Sequence, residues 1–107
     1  MCGIFFAYNY LLNNQDINRV QSLLNNRGPD SHGVWESGQL TMIHTRLSII
    51  DLSIAGNQPM LNISRDCCLI FYGEIYNYLE LKKETSDYPY KGSSDTEVIL
   101  ACYEKWG

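Results

Sequence analysis

The sequence predicts a fold that mixes β-strands with α-helices and opens on a strand at its very N-terminus. Three observations carry this. Residues 2 to 8 are a short apolar run rich in β-favouring aromatic side chains, the pattern of a buried strand. Between Asp16 and Asn25, the residues Ile17, Val20, Leu23 and Leu24 recur at helical spacing and put one apolar stripe on the core. Ser94 stands three residues before Glu97, the spacing of a capping box, and Val98, Ile99, Cys102, Tyr103 and Trp106 continue at helical intervals.

Each element follows from its local chemistry. The opening strand pins Cys2 inside the fold. The helix of Asp16 to Asn25 is closed by Gly28-Pro29, a pair that cannot continue it, and Arg27-Gly28-Pro29-Asp30 reads as a structural turn. Leu40 to His44 and Leu47 to Leu52 have the composition of strands, and Ala55-Gly56-Asn57-Gln58-Pro59 that of a loop. Cys67 to Phe71 is an apolar run of strand length. It is followed by a turn at Gly73 and by a short helix over Ile75 to Lys83, whose Lys82-Lys83 end suits the negative pole of the helix dipole.

At 107 residues the chain is a single domain or part of one. With 45% hydrophobic and 19% charged residues it has an ordinary globular composition, and no apolar run approaches the roughly 20 residues that span a bilayer. The N-terminus lacks the basic leading region of an export signal, so a cytoplasmic location is expected. A net charge of -4 with scattered Lys and Arg argues against a nucleic-acid partner. Cys2, Cys67, Cys68 and Cys102 form no zinc-binding spacing, and the last three read as buried or half-buried thiols; no metal is expected. The sequon Asn62-Ile63-Ser64 carries no weight without a secretory signal.

Cys2 has a chemistry of its own. Methionine aminopeptidases remove Met1 when a small residue follows, and the product here is a cysteine with a free α-amine. One residue then holds a strong nucleophile and, with a reference pKa near 8, a base that takes its proton and returns it to a leaving group.

Six ordered segments extend this: Met1-Cys2-Gly3-Ile4, Arg27-Gly28-Pro29-Asp30, Thr45-Arg46-Leu47-Ser48-Ile49-Ile50-Asp51-Leu52, Gln58-Pro59-Met60, Gly73-Glu74-Ile75-Tyr76-Asn77 and Ser94-Asp95-Thr96-Glu97. Together they resemble the class II glutamine amidotransferase domain of the glutamine-hydrolysing asparagine synthetase family, over nearly the whole chain. The resemblance implies an α+β fold of the N-terminal nucleophile hydrolase type, an αββα sandwich of two antiparallel sheets between helical layers. It implies that Cys2 attacks the side-chain amide of L-glutamine, that Arg46 holds the substrate α-carboxylate and Asp95 its α-ammonium, and that Ile50, Gly73 and Glu74 complete the pocket, with Gly73 as an oxyanion donor. A guanidinium grips a carboxylate through two parallel hydrogen bonds, and an aspartate at a helix N-terminus stays ionised to pair with an ammonium. No cofactor is implied for this half; ATP and Mg belong to a synthetase domain, joined in cis or acting in trans, that receives the ammonia.

Two departures accompany the resemblance. The asparagine that the family places before Gly-Glu-Ile-Tyr-Asn, whose amide donates to the oxyanion, is Tyr72 here. Losing one such donor costs roughly 100- to 1000-fold in turnover, which keeps a second expectation open: a weak or silent amidotransferase-like binding or assembly module. The family domain also continues beyond Gly107 with further strands, so residues 1–107 are expected to be its N-terminal part, incomplete at the C-terminus, with sheet edges that favour a homo-oligomer.

Overall fold

A computed structural model describes residues 2–107. Met1, and with it the question of its removal, lies outside the described residues. Strands β1 (Gly3–Tyr8), β2 (Ser31–Ser37) and β3 (Leu40–Arg46) form an antiparallel sheet in the order β1-β3-β2. Helix α1 (Asn14–Leu24) packs on one face of this sheet. A single 3-10 turn, Ile54–Gly56, precedes a second, two-stranded antiparallel sheet of β4 (Met60–Leu61) and β5 (Cys68–Leu69). Helices α2 (Tyr78–Glu84) and α3 (Asp95–Trp106) pack against each other. The arrangement is α+β, with a small core of Met60, Tyr88, Leu100 and Ala101 under α3. No helix among the described residues is long and apolar enough to cross a membrane.

The opening strand forms where the apolar run places it. Helix α1 starts at Asn14, two residues before the expected Asp16, because Asn13 and Asp16 cap it reciprocally: Asn13 Oδ1 accepts from Asp16 N at 2.8 Å and Asp16 Oδ2 from Asn13 N at 3.2 Å. Strand β2 has no counterpart in the sequence reading. Its seven residues include Gly33, which weakens a strand locally, but here the glycine is needed: a Cβ on Gly33 would stand 1.9 Å from the Gln58 carbonyl oxygen. Leu47 to Leu52, expected as a strand, is a loop. Its polar backbone is taken elsewhere, Ser48 N donating to the Asp30 carboxylate at 2.7 Å and the Asp51 carbonyl accepting from Arg46. Likewise only Cys68–Leu69 of the expected strand Cys67 to Phe71 is paired, since Phe71 N donates to Gln58 Oε1 at 2.6 Å and Phe71 O faces His44. The short helix after Gly73 begins at Tyr78 rather than Ile75, the Ile75 N–H being bound by the Asp95 carboxylate. Cys67, Cys68 and Cys102 are half-buried free thiols, and burial pushes those of Cys68 and Cys102 up from their ordinary range.

Strand β3 is the axis of the molecule. Paired on both sides, it carries Ile43, His44 and Thr45 at 0% exposure. The turn after α1 presses on its end: a Cβ on Gly28 would stand 2.2 Å from the Thr45 carbonyl oxygen, a contact with backbone that cannot move aside. Gly28→Ala should therefore lower stability by about 1–3 kcal/mol, read as a shift in the urea midpoint; an unchanged midpoint would show that the turn can retreat.

His44 is buried neutral. Its Nε2 donates to the Phe71 carbonyl at 3.3 Å, and Nδ1 has no partner among the described residues. Burial lowers its pKa from 6.5 to about 4, the Phe71 carbonyl opposing and the Arg46 charge adding to the effect. Because the folded value lies below the unfolded one, the unfolded chain binds the extra proton first. Stability is full above pH 6.5, falls by at most about 1.4 kcal/mol per pH unit as the pH drops toward 4, and levels off below that. Unfolding free energies across this window should fall more steeply for the wild type than for His44→Gln, and parallel curves would remove His44 as the cause.

Candidate active site

Register brings the first two site residues together. Gly3 on β1 pairs with Thr45 on β3, and one step beyond that pair stand Cys2 and Arg46. The close approach needs a glycine, because a Cβ on Gly3 would meet Thr45 Oγ1 at 2.6 Å. Leu47 brackets the Cys2 thiol, its N–H lying 3.4 Å from Sγ and its carbonyl 3.8 Å away. The Cys2 carbonyl accepts from Arg27 Nε at 3.3 Å.

Arg46 is only 6% exposed, and the oxygens that hold it are neutral. Nη1 donates to Ser53 O at 2.6 Å and to Asn57 Oδ1 at 2.7 Å, and Nη2 donates to Asp51 O. Gly56 leaves the space for the guanidinium, since a Cβ there would lie 2.2 Å from Nη2. Among the described residues these contacts use three of the five N–H groups of an arginine and leave two without a partner.

A second charged corner comes from the start of α3. Ser94 caps the helix, accepting from Glu97 N at 3.3 Å, but Glu97 does not complete a reciprocal box. Its carboxylate turns instead to Lys91 N at 2.8 Å and Gly92 N at 2.9 Å. Asp51 does the same from the other side, accepting from Ser53 N at 2.8 Å, Ser53 Oγ at 2.5 Å and Ser93 N at 2.7 Å. The Ser53 hydroxyl and the Ser93 amide hold its carboxyl down to about 2, so it stays ionised. Asp51 thereby ties the segment before α3 to the loop that holds Arg46, and Glu97 ties that segment to α3 itself. Asp95, 7% exposed, follows them as the first residue of the helix, its Oδ2 accepting from Ile75 N at 3.0 Å.

Gly73 has φ +155, and a Cβ there would meet the Phe71 ring at 3.0 Å, so this position demands glycine. Beside it, the Tyr72 ring lies under the Arg27 guanidinium, whose carbon is 5.1 Å from the ring centroid.

Cys2, Arg46, Ile50, Tyr72, Gly73, Glu74 and Asp95, every site residue expected from the sequence, line one cavity of about 340 Å³. Its size suits a small organic ligand. A thiol, a guanidinium with two free N–H groups and a carboxylate in one cavity match a ligand that bears a carboxylate, an ammonium and an electrophilic carbon. Among the described residues no group of three or more His, Cys, Asp or Glu could hold a metal ion.

Sequence reasoning gave no role to Arg27, Leu47 or Gln58. All three sit inside quoted motifs; Gln58 links Phe71 N to Thr96 Oγ1, the latter at 3.3 Å, and so joins the two sides of the cavity. Leu47 acts through its backbone, which leaves no signal in residue type.

The whole chain, residues 1–107, matches a family model described as a glutamine amidotransferase domain. Asparagine synthetase B [glutamine-hydrolyzing] of Escherichia coli (strain K12) is 37% identical over 112 residues, covering 100% of this chain and 20% of its own length. Asparagine synthetase [glutamine-hydrolyzing] 1 of Arabidopsis thaliana is 36% identical, covering 100% of the chain and 19% of its own length. The enzyme of the same printed name from Bacillus subtilis (strain 168) is 37% identical, with 99% and 18% covered. The chain thus spans about a fifth of the length of these curated relatives. Its ordered motifs, its N-terminal cysteine beside Arg46 and these matches make it a member of the glutamine amidotransferase domain family, of the asparagine synthetase type.

Proposed function

We propose that this chain is the N-terminal part of a single class II amidotransferase domain that hydrolyses L-glutamine to glutamate and ammonia. The observation that carries the reading is the shared cavity of Cys2, Arg46, Gly73 and Asp95. The substrate α-carboxylate pairs with the two remaining N–H groups of Arg46 and the α-ammonium with Asp95, while the backbone at Ile50 and Gly73-Glu74 shapes the slot between them. This points the side-chain amide at Cys2.

With Met1 removed, the α-amine of Cys2 takes the thiol proton as Sγ attacks the amide carbon. The oxyanion forms near the Gly73 N–H. The intermediate collapses, the C–N bond breaks, and the ammonium returns the proton to the leaving ammonia. Water then attacks the thioester carbon, releasing glutamate and restoring the thiol. The ammonia serves asparagine or a related amide, made by a synthetase domain in cis or trans, and ATP and Mg act only there. A cytoplasmic setting and self-association belong to the same reading.

The fold proposed with it is the N-terminal nucleophile hydrolase sandwich. Its support is the sheet face away from α1, where Ile4, Phe6 and Tyr8 are apolar yet exposed, as expected of a layer that a second sheet covers.

Tyr72 favours a second reading, a slow or silent module, because it leaves the Gly73 N–H without the second donor that the family resemblance supplies. Ammonia release and covalent labelling by an electrophilic glutamine analogue separate the two. Labelling at Cys2 that disappears in Cys2→Ala is the expected result, whereas bound glutamine without labelling would favour the silent module. Arg46→Lys, which cannot make the paired contact, should raise KM for glutamine by about 10- to 100-fold. Tyr72→Asn adds an amide donor and should raise kcat, by up to about 100-fold; no gain over an already fast wild type would show that the oxyanion is met in another way.

A further inference from the structure

Tyr72 stands where the resemblance calls for an amide, and its side chain meets a different partner. The Arg27 guanidinium carbon lies 5.1 Å from the Tyr72 ring centroid, and the same guanidinium donates from Nε to the Cys2 carbonyl at 3.3 Å. Arg27 is exposed. A long exposed side chain with one hydrogen bond to a carbonyl samples many rotamers, and water competes for that carbonyl. An aromatic face beneath the guanidinium supplies a second point of attachment without competing for the N–H.

The contact matters because of what it holds. The Cys2 carbonyl sets the main-chain torsion from which Sγ projects, and Leu47 bonds only the thiol itself. Tyr72 is also adjacent in sequence to Gly73, and both line the cavity. One stack therefore joins the oxyanion side of the cavity to the main chain of the nucleophile.

We propose that Tyr72 is a positioning residue whose ring clamps Arg27 onto the Cys2 carbonyl and so holds the nucleophile in its attacking orientation. This inference rests on the glutaminase reading for its kinetic consequence. The ring face supplies the clamp, so phenylalanine can replace tyrosine and leucine cannot.

Steady-state ammonia release from glutamine tests it in four variants. Tyr72→Leu should lower kcat by about 2- to 5-fold, the range that an exposed cation–π contact supports, and move KM less. Tyr72→Phe should restore most of that loss. In an Arg27→Gln background, the Tyr72→Leu penalty should be smaller than in the wild type, because the clamp acts through Arg27. A Phe variant as slow as Leu, or a Leu penalty equal in both backgrounds, overturns the proposal while leaving the glutaminase reading intact. If the wild type releases no ammonia, that reading fails, and hydrogen exchange of the Arg27 Nε–H by NMR decides the clamp alone. Exchange about 2- to 5-fold faster in Tyr72→Leu than in wild type and Tyr72→Phe supports it; equal exchange in all three overturns it.

Discussion

The site is organised around a cation that the fold buries with no anion among the described residues to match it. Arg46 sits at the end of the central strand, enclosed, and the oxygens of Ser53, Asn57 and Asp51 that receive its N–H groups carry dipoles but no charge. Neutral acceptors offset only part of the cost of taking a guanidinium out of water. The unspent share of that charge is directed at the cavity. Much of the surrounding chain is shaped to allow it: Gly56 is bare so that the guanidinium fits, and residues 47–53 abandon a strand to present carbonyls to it.

Three acidic side chains complete the frame, and they divide the work. Asp51 and Glu97 are buried and bound by backbone N–H groups, so their charge is absorbed in fixing the segments around residues 51–53 and 91–94. Both are structural. Asp95 lies between these anchored segments and α3, with one oxygen held by the Ile75 N–H, and it faces the cavity. Asp95 thus lines the cavity from a helix start whose neighbouring segments are fixed by backbone hydrogen bonds.

The Arg27-Gly28-Pro29-Asp30 turn binds both strands at the end of the β1–β3 pair where Cys2 and Arg46 stand. Gly28 packs on Thr45, Pro29 bridges to Arg46, Asp30 N donates to Arg46 O at 2.8 Å, its carboxylate accepts from Ser48 N, and Arg27 reaches the Cys2 carbonyl. The expectation of a structural turn holds for three of these residues. Arg27 extends the turn's contacts across the strand pair, because its guanidinium reaches the main chain of Cys2.

Residue types and local periodicity alone determined the opening strand, α1 and α3, since each rests on a neighbouring apolar pattern and each helix on a cap within a few residues. The family resemblance that the ordered motifs carry implied Cys2, Arg46, Gly73 and Asp95 as a set, since it needs only residue identities and their order. What only the tertiary structure decided is where backbone polar groups go. Leu47 to Leu52 has the apolar composition of a strand, yet its partners are Asp30 and Arg46; Ser31–Ser37 hides a strand behind a glycine that clears a path for Gln58. Those choices depend on side chains distant in sequence, and no window along the chain contains both partners.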